Sequence, residues 1–216
     1  MPIIMKTPDV NNACNIHSSS AAARSQIIVV EVGPDRTRYI LHKELLIHHS
    51  GLFRREISQN PKKQSFALED IFTEEFSFFV DWLYEKKLPS SAQTTESWLA
   101  FYAYMVADRL SVIRLKVALM DAIFHELSSR SVSSDMVCRL FEALPKNDPL
   151  LQLVVDAICI NDGIGRMGTE SLVSIDNLSK EYLTRVMRKF HHLNQLPEKE
   201  RNLCRADYSM MACLLG

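Results

Sequence analysis

"IIVVEVGPDRTRYILHKELLIHHSGLFRREI", Ile27 to Ile57, changes its periodicity twice within one short stretch. Extended by one residue, "QIIVVEV" (Gln26 to Val32) is short and β-branched, the composition of a strand. "GPD" (Gly33 to Asp35) is turn chemistry: glycine takes positive φ without steric cost, and proline presets the bend. "TRYIL" (Thr37 to Leu41) alternates and reads as the returning strand, so the two predict a hairpin. Beyond His42 the alternation gives way to a helical stretch. His42 reads as a buried, hydrogen-bonded histidine, and Ser50 as a local helix cap. "SFAL" (Ser65 to Leu68) is a third, shorter strand.

After Leu68 the chain reads as mostly helical. Thr73 is a candidate cap, followed by Glu74 and Glu75 where the helix dipole favours acids. Phe72, Phe76, Phe79, Val80 and Leu83 follow helical spacing, and Leu115, Leu119, Ile123 and Leu127 step by four. Met136, Val137, Leu140, Phe141 and Leu144 mark a further helix, which Pro145 stops. Asp148-Pro149 starts another, with a capping acid and proline at the first helical position. Leu150, Leu151, Val154, Ala157 and Ile158 lie on one face of it. Leu183, Val186, Met187, Phe190 and Leu193 mark one more, and a last helix follows Pro197. The fold class expected is α+β: a small sheet covered by helices, then an all-helical region.

Composition narrows the function. The 216 residues carry 25 Lys plus Arg against 26 Asp plus Glu, a net charge of -1. Non-specific DNA binding needs a broad cationic surface, so nucleic acid is not an expected partner. The basic run Arg185, Arg188, Lys189, His191 and His192 reads as the solvated face of a helix. Five widely spaced cysteines (Cys14, Cys138, Cys159, Cys204 and Cys213) without a C-x-x-C fit free thiols better than a disulfide frame or a zinc site. Residues 1 to 25 are small and polar and read as a tail. No run of about 18 apolar residues could span a bilayer, and an intracellular protein of cytoplasm or nucleus is expected.

"NDGIGRMGTES" (Asn161 to Ser171) contains a literal G-x-G-x-x-G at Gly163, Gly165 and Gly168. A dinucleotide loop must follow a strand and open a helix. Here the preceding "PLLQLVVDAICIND" reads as a capped helix, so a nucleotide-binding enzyme using Gly163 to Gly168 is the alternative, not the leading reading. No H-E-x-x-H, G-x-S-x-G or G-K-[ST] is found. The adjacent pairs His48-His49 and His191-His192 point about 100° apart on a helix and chelate one ion poorly. No catalytic residue, metal or cofactor is assigned.

The ordered set of features resembles a BTB/POZ domain. The residues that carry the resemblance are His42-Lys43, Leu45-Leu46, Ser50 and Phe53 in the opening stretch. In "FALEDIFTEEFSFFVDWLYEKKLP" they are Leu68, Asp70, Phe76, Leu83 and Tyr84. In "WLAFYAYMVADRLSVIRLKVALMDAIFHEL" they are Ala107-Asp108, Leu110 and Leu115-Lys116. The resemblance covers about Gln26 to Ser129. It implies a tail (1–25), a BTB/POZ domain (26–129) and a helical extension (130–216). "LSKEYLTRVMRKF" in that extension is similar to extensions of fungal BTB-domain proteins.

What the resemblance implies is a protein-interaction or adaptor module. Its partners would be proteins, among them a type-3 cullin of a ubiquitin ligase, or a second copy of the chain; a transcription-associated scaffold is a further option. The protein-binding residues it implies are Arg54, Arg55, Glu56, Ser58, Gln59 and Tyr84. Dimerising members carry a helix ahead of the first strand, whereas "SSSAAARS" (Ser18 to Ser25) has no apolar stripe. Cullin adaptors carry an apolar-x-Glu triplet before the third strand, and the loop "REISQNPKKQ" (Arg55 to Gln64) has none.

Overall fold

A computed structural model describes residues 26–88, 98–128, 132–161 and 178–208. Three strands form one sheet in the order β2-β1-β3 among these residues: β1 (Ile27–Val32), β2 (Thr37–His42) and β3 (Ser65–Leu68). β1 pairs antiparallel with β2 and parallel with β3. The alternation in β1 sends Ile28, Val30 and Val32 into the core and leaves Ile27 exposed. Leu41 of β2 and Phe66 and Leu68 of β3 join the same buried face. Gly33 adopts φ +74° in the turn, as its sequence context requires, and Arg36 also sits at positive φ (50°). The glycine's N–H donates to Leu68 O at 3.0 Å, which ties the hairpin turn to β3.

Eight α-helices follow among the described residues. α1 (Lys43–His49) and α2 (Gly51–Gln59) lie between β2 and β3, and α3 (Thr73–Glu85) follows β3. α4 (Trp98–Arg109) and α5 (Ile113–Leu127) pack together, and then come α6 (Ser134–Ala143), α7 (Pro149–Asn161) and α8 (Lys180–Leu193). Two 3₁₀ turns, Glu198–Glu200 and Arg205–Tyr208, stand where a last helix after Pro197 was expected.

The residues that carried the resemblance have local structural reasons. Leu46, Phe53, Phe76, Leu83, Ala107 and Leu110 are each 0% exposed. Ser50 is buried and caps α2 by accepting from Phe53 N at 3.3 Å. Its hydroxyl donates to Leu110 O at 2.6 Å, so one side chain joins the start of α2 to the α4–α5 corner. Gly51 N–H donates to Ser111 O at 3.0 Å, and this close approach leaves no room for a side chain. Lys43 donates to Gln26 Oε1 and Pro61 O, tying the strand start to the link before β3. Asp70 pairs with Arg109 at 2.9 Å.

The C-terminal helices share the core with the sheet and its helices. α7 is buried almost all round, from Leu150 to Cys159, as the central helix of a packed layer must be. The five residues read on one face are all buried, and burial extends beyond them to Leu153, Val155 and Cys159 because α5, α6 and α8 all pack on α7. Asp148 caps α7 by accepting from Leu150 N at 2.9 Å, as its Asp-Pro context predicts. Asn161 at the other end donates to Leu127 O at 2.6 Å, which joins α7 to the end of α5.

Three further details differ from expectation, and some expectations fall on residues that are not described. Thr73 is the first residue of α3 and not its cap; Phe72 holds the cap position without a side-chain bond and is 59% exposed. Met187, one of the apolar residues that mark α8, is 69% exposed, and α8 buries Tyr182, Val186 and Leu193. Arg55 to Gln59 are the last turns of α2, so the link before β3 is only Asn60 to Gln64. The expected tail (1–25), Ser18 to Ser25, Gly163 to Gly168, Cys14 and Cys213 lie outside the described residues.

Candidate interaction surface

A groove of about 440 Å³ opens where the start of α3, one face of α4 and the end of α6 meet. Its apolar part comes from Ile71, Phe72, Tyr102, Met105, Val106 and Ala143. Ile71 and Val106 are buried, whereas Tyr102 and Met105 are half-buried and Phe72 is largely exposed. Phe72 is outward because it sits at the N-cap, where extended backbone (φ -78°, ψ 150°) turns it away from the stripe that buries Phe76 and Phe79. Tyr102 and Met105 are three apart on α4 and therefore share one helix face.

The rim is charged. Asp70 and Arg109 form an ion pair at 2.9 Å, and Asp108, Glu75, Arg139 and Glu142 complete the border. Burial pushes the Glu75 carboxyl above its ordinary range, against the Phe72 backbone hydrogen bond, which pulls it down. Glu74 adds to the rise and Arg139 opposes it. An apolar floor with a charged rim is the anatomy of a protein-docking surface.

The residues that the resemblance implied for protein binding stand elsewhere. Arg54, Arg55, Ser58 and Gln59 are exposed on α2. Arg54 donates to the carbonyls of Ile47 and His48, both at 2.9 Å, and so closes the C-terminal end of α1. Glu56 pairs with Lys63 at 2.8 Å, and that ammonium lies 4.4 Å from the centre of the Phe66 ring. Tyr84 is half-buried on α3, with its hydroxyl 2.7 Å from His42 Nδ1. His42 is therefore partly buried and hydrogen-bonded, as expected. None of the six lines the groove. Arg54, Glu56 and Tyr84 hold local structure, and Arg55, Ser58 and Gln59 present free polar side chains along α2.

Sequence reading set Phe72 in one helical spacing with Phe76 and Phe79 and singled out neither Tyr102 nor Met105. The available signal was local: Phe72 immediately precedes the acidic first turn Glu74-Glu75, which puts it at the helix boundary and not inside its stripe.

Two buried carboxylates organise the C-terminal helices. Asp148 accepts from Tyr104 Oη at 2.9 Å and from Lys116 Nζ at 2.6 Å. Asp156 accepts from Tyr208 Oη at 2.8 Å and Gln152 Nε2 at 2.9 Å, with Lys189 Nζ at 3.1 Å. Burial, reinforced by Asp156, pushes the Tyr208 phenol well above its ordinary range. Burial likewise raises the Cys159 thiol to about 12, so this cysteine is no nucleophile at neutral pH. Among the described residues, no group of three or more His, Cys, Asp or Glu could hold a metal ion, and no helix is long and apolar enough to cross a membrane.

The BTB/POZ domain family model matches residues 26–123, from the strand start through most of α5. A solved structure of the BTB (Tramtrack and Bric a brac) domain of human Gigaxonin is similar at 18% identity. It covers 56% of this chain and 98% of its own, with a TM-score of 0.41. No curated protein matches the chain. The family match covers the strand–turn–strand opening, the Ser50 tie to the α4–α5 corner and the buried faces of α3 to α5, and on these the conclusion rests: residues 26–123 form a BTB/POZ domain.

Proposed function

We propose that this chain is a non-catalytic adaptor that docks a protein partner in the groove between α3, α4 and α6. BTB/POZ domains mediate protein–protein interactions, and the groove is a feature of the described residues suited to one. The observation that carries the reading is the exposed Phe72 beside half-buried Tyr102 and Met105, inside a rim of charged side chains. Apolar residues left open in this way gain burial when a partner covers them, at about 25 cal/mol per Å².

A type-3 cullin is the finer reading and rests on the family resemblance. The Asn60 to Gln64 link has no apolar-x-Glu triplet, and the Tyr84 hydroxyl is engaged by His42. Arg55, Ser58 and Gln59 on α2 are the residues left to contribute. Affinity purification of the tagged chain from its own cells tests both levels. A partner lost on Phe72→Ala supports groove docking. A cullin lost on Arg55→Ala/Gln59→Ala, with Phe72→Ala neutral, moves the docking surface to α2.

A further inference from the structure

Of the basic run on α8, Arg188, His191 and His192 are exposed as a solvated face would be, whereas Arg185 and Lys189 are largely covered. A second concavity of about 530 Å³ opens between α8 and the α6–α7 link. Arg185, Arg188, Lys189 and His192 line it from α8, and Lys146 faces them from the link. Their carboxylate neighbours are Asp148 and Glu181, so four cations oppose two acids in one hollow.

The cations divide into two pairs. Arg185 and Lys189 are pinned. Arg185 donates to Glu181 at 2.9 Å and to Lys146 O, and its guanidinium carbon lies 5.6 Å from the centre of the Phe141 ring. Lys189 reaches back to buried Asp156 at 3.1 Å. Their side chains are only 15% and 20% exposed, so their positions are set before any ligand arrives. Lys146 and Arg188 are exposed and form no ion pair with a described residue. The start of α7 adds no free donor. Pro149 has no N–H, and Leu150 N–H is taken by its Asp148 cap at 2.9 Å.

We propose that this concavity binds a phosphate monoester, carried either on a phosphorylated protein side chain or on a free phosphometabolite. A monoester brings about -1.5 to -2 charges and three acceptor oxygens. That charge matches the excess of two cations in the hollow, where a single carboxylate would leave it half neutralised. The Arg188 fork suits two phosphate oxygens, and Lys146 supplies a point charge to the third. The site is separate from the groove, and either can fail without the other.

The test is a titration of the full ¹⁵N-labelled chain, followed by NMR, with three probes. These are O-phosphoserine, a glycine-flanked phosphoserine peptide and the same peptide with serine. Saturable shifts confined to residues 146–152 and 181–192 are expected with both phosphorylated probes and absent with the serine peptide. Lys146→Ala/Arg188→Ala removes the two uncommitted cations from exposed positions, and an unchanged melting temperature verifies its fold. This variant should bind at least about tenfold more weakly, the equivalent of about 1.4 kcal/mol. Tighter binding of the phosphopeptide than of O-phosphoserine assigns the site to a phosphorylated partner; equal binding assigns it to a small phosphate ester. The absence of saturable shifts, equal shifts with the serine peptide, or unchanged affinity in the double variant would overturn the proposal.

Discussion

The Lys116 ammonium on α5 lies 2.6 Å from Asp148 Oδ2 at the start of α7. This contact crosses from the BTB/POZ domain to the helices that follow it. Asp148 is 3% exposed in its side chain and Lys116 is 12% exposed, so neither charge is well solvated. Asp108 adds a second carboxylate 2.5 Å from the same ammonium. Lys116→Met should therefore leave buried Asp148 without its cation and cost about 3–5 kcal/mol. Urea unfolding measures it. The double variant Lys116→Met/Asp148→Asn should recover part of the loss, because the more deeply buried of the two carboxylates no longer carries a charge. A single-variant cost under about 1 kcal/mol would place the join elsewhere.

Gly51 should be intolerant of a side chain. A Cβ there would lie 2.9 Å from Ser111 Cβ and 3.4 Å from Ser111 O. The first contact is with the root of a side chain, which cannot swing away. Gly51→Ala is expected to cost about 1–3 kcal/mol as an overpacked contact, despite the better helix propensity of alanine. A gain in melting temperature would contradict the close approach of α2 to the α4–α5 corner.

The sequence was informative where local chemistry and tertiary packing agree. The hairpin follows from its alternation and its glycine turn, and α5 from its four-residue step. Asp148-Pro149 announced the start of α7 because cap and first-turn proline act within one turn of chain. The groove was not legible in this way. It is assembled from an N-cap on α3, a face of α4 and the end of α6, and no local rule links them. Phe72 shares the spacing of the buried stripe although it lies at the N-cap, because helical spacing does not report where the helix begins. Met187 marks α8 by its spacing yet stays exposed, because the buried stripe of α8 is set by its contact with α7. Lys146 lies about forty residues from the basic run on α8, a separation that periodicity cannot bridge.

Tyr84 distinguishes a structural role from a binding role. Its hydroxyl holds His42 Nδ1 at 2.7 Å, and the rings meet edge to face at 5.7 Å. Tyr84→Phe keeps the ring contact and removes the hydrogen bond, at an expected cost of about 1 kcal/mol in chemical denaturation. Partner recovery should be unaffected. A loss of partner with no loss of stability would make the hydroxyl a contact after all.

Acid should weaken the fold through His49. Burial holds this imidazole down at about 4, and Lys86, His48, Arg114 and Arg54 add repulsion. The ring packs on His48 at 4.5 Å and on Trp82 at 5.6 Å. Its ordinary value is 6.5, so the folded value is depressed. Above pH 6.5 the ring is neutral in both states, and the stability is fully present. As the pH falls from 6.5 towards 4, the unfolded chain takes up a proton that the folded ring refuses, and stability declines. His49→Gln should flatten this part of a melting-temperature profile measured from pH 7.5 to 4. Superimposable profiles for the two proteins would remove His49 from the acid response.

The central claim is that the groove is where a protein partner docks. The most direct measurement compares wild type with Phe72→Ala, tagged and purified from its own cells, with co-purifying proteins quantified by mass spectrometry. Phe72 is 59% exposed, so its removal should leave the melting temperature close to that of wild type. The expected result is a reproducible partner in the wild type that falls at least about tenfold in the variant, as truncation of an interface anchor worth over 1 kcal/mol would produce. An equal partner set for the two proteins, or none above control for either, would contradict it.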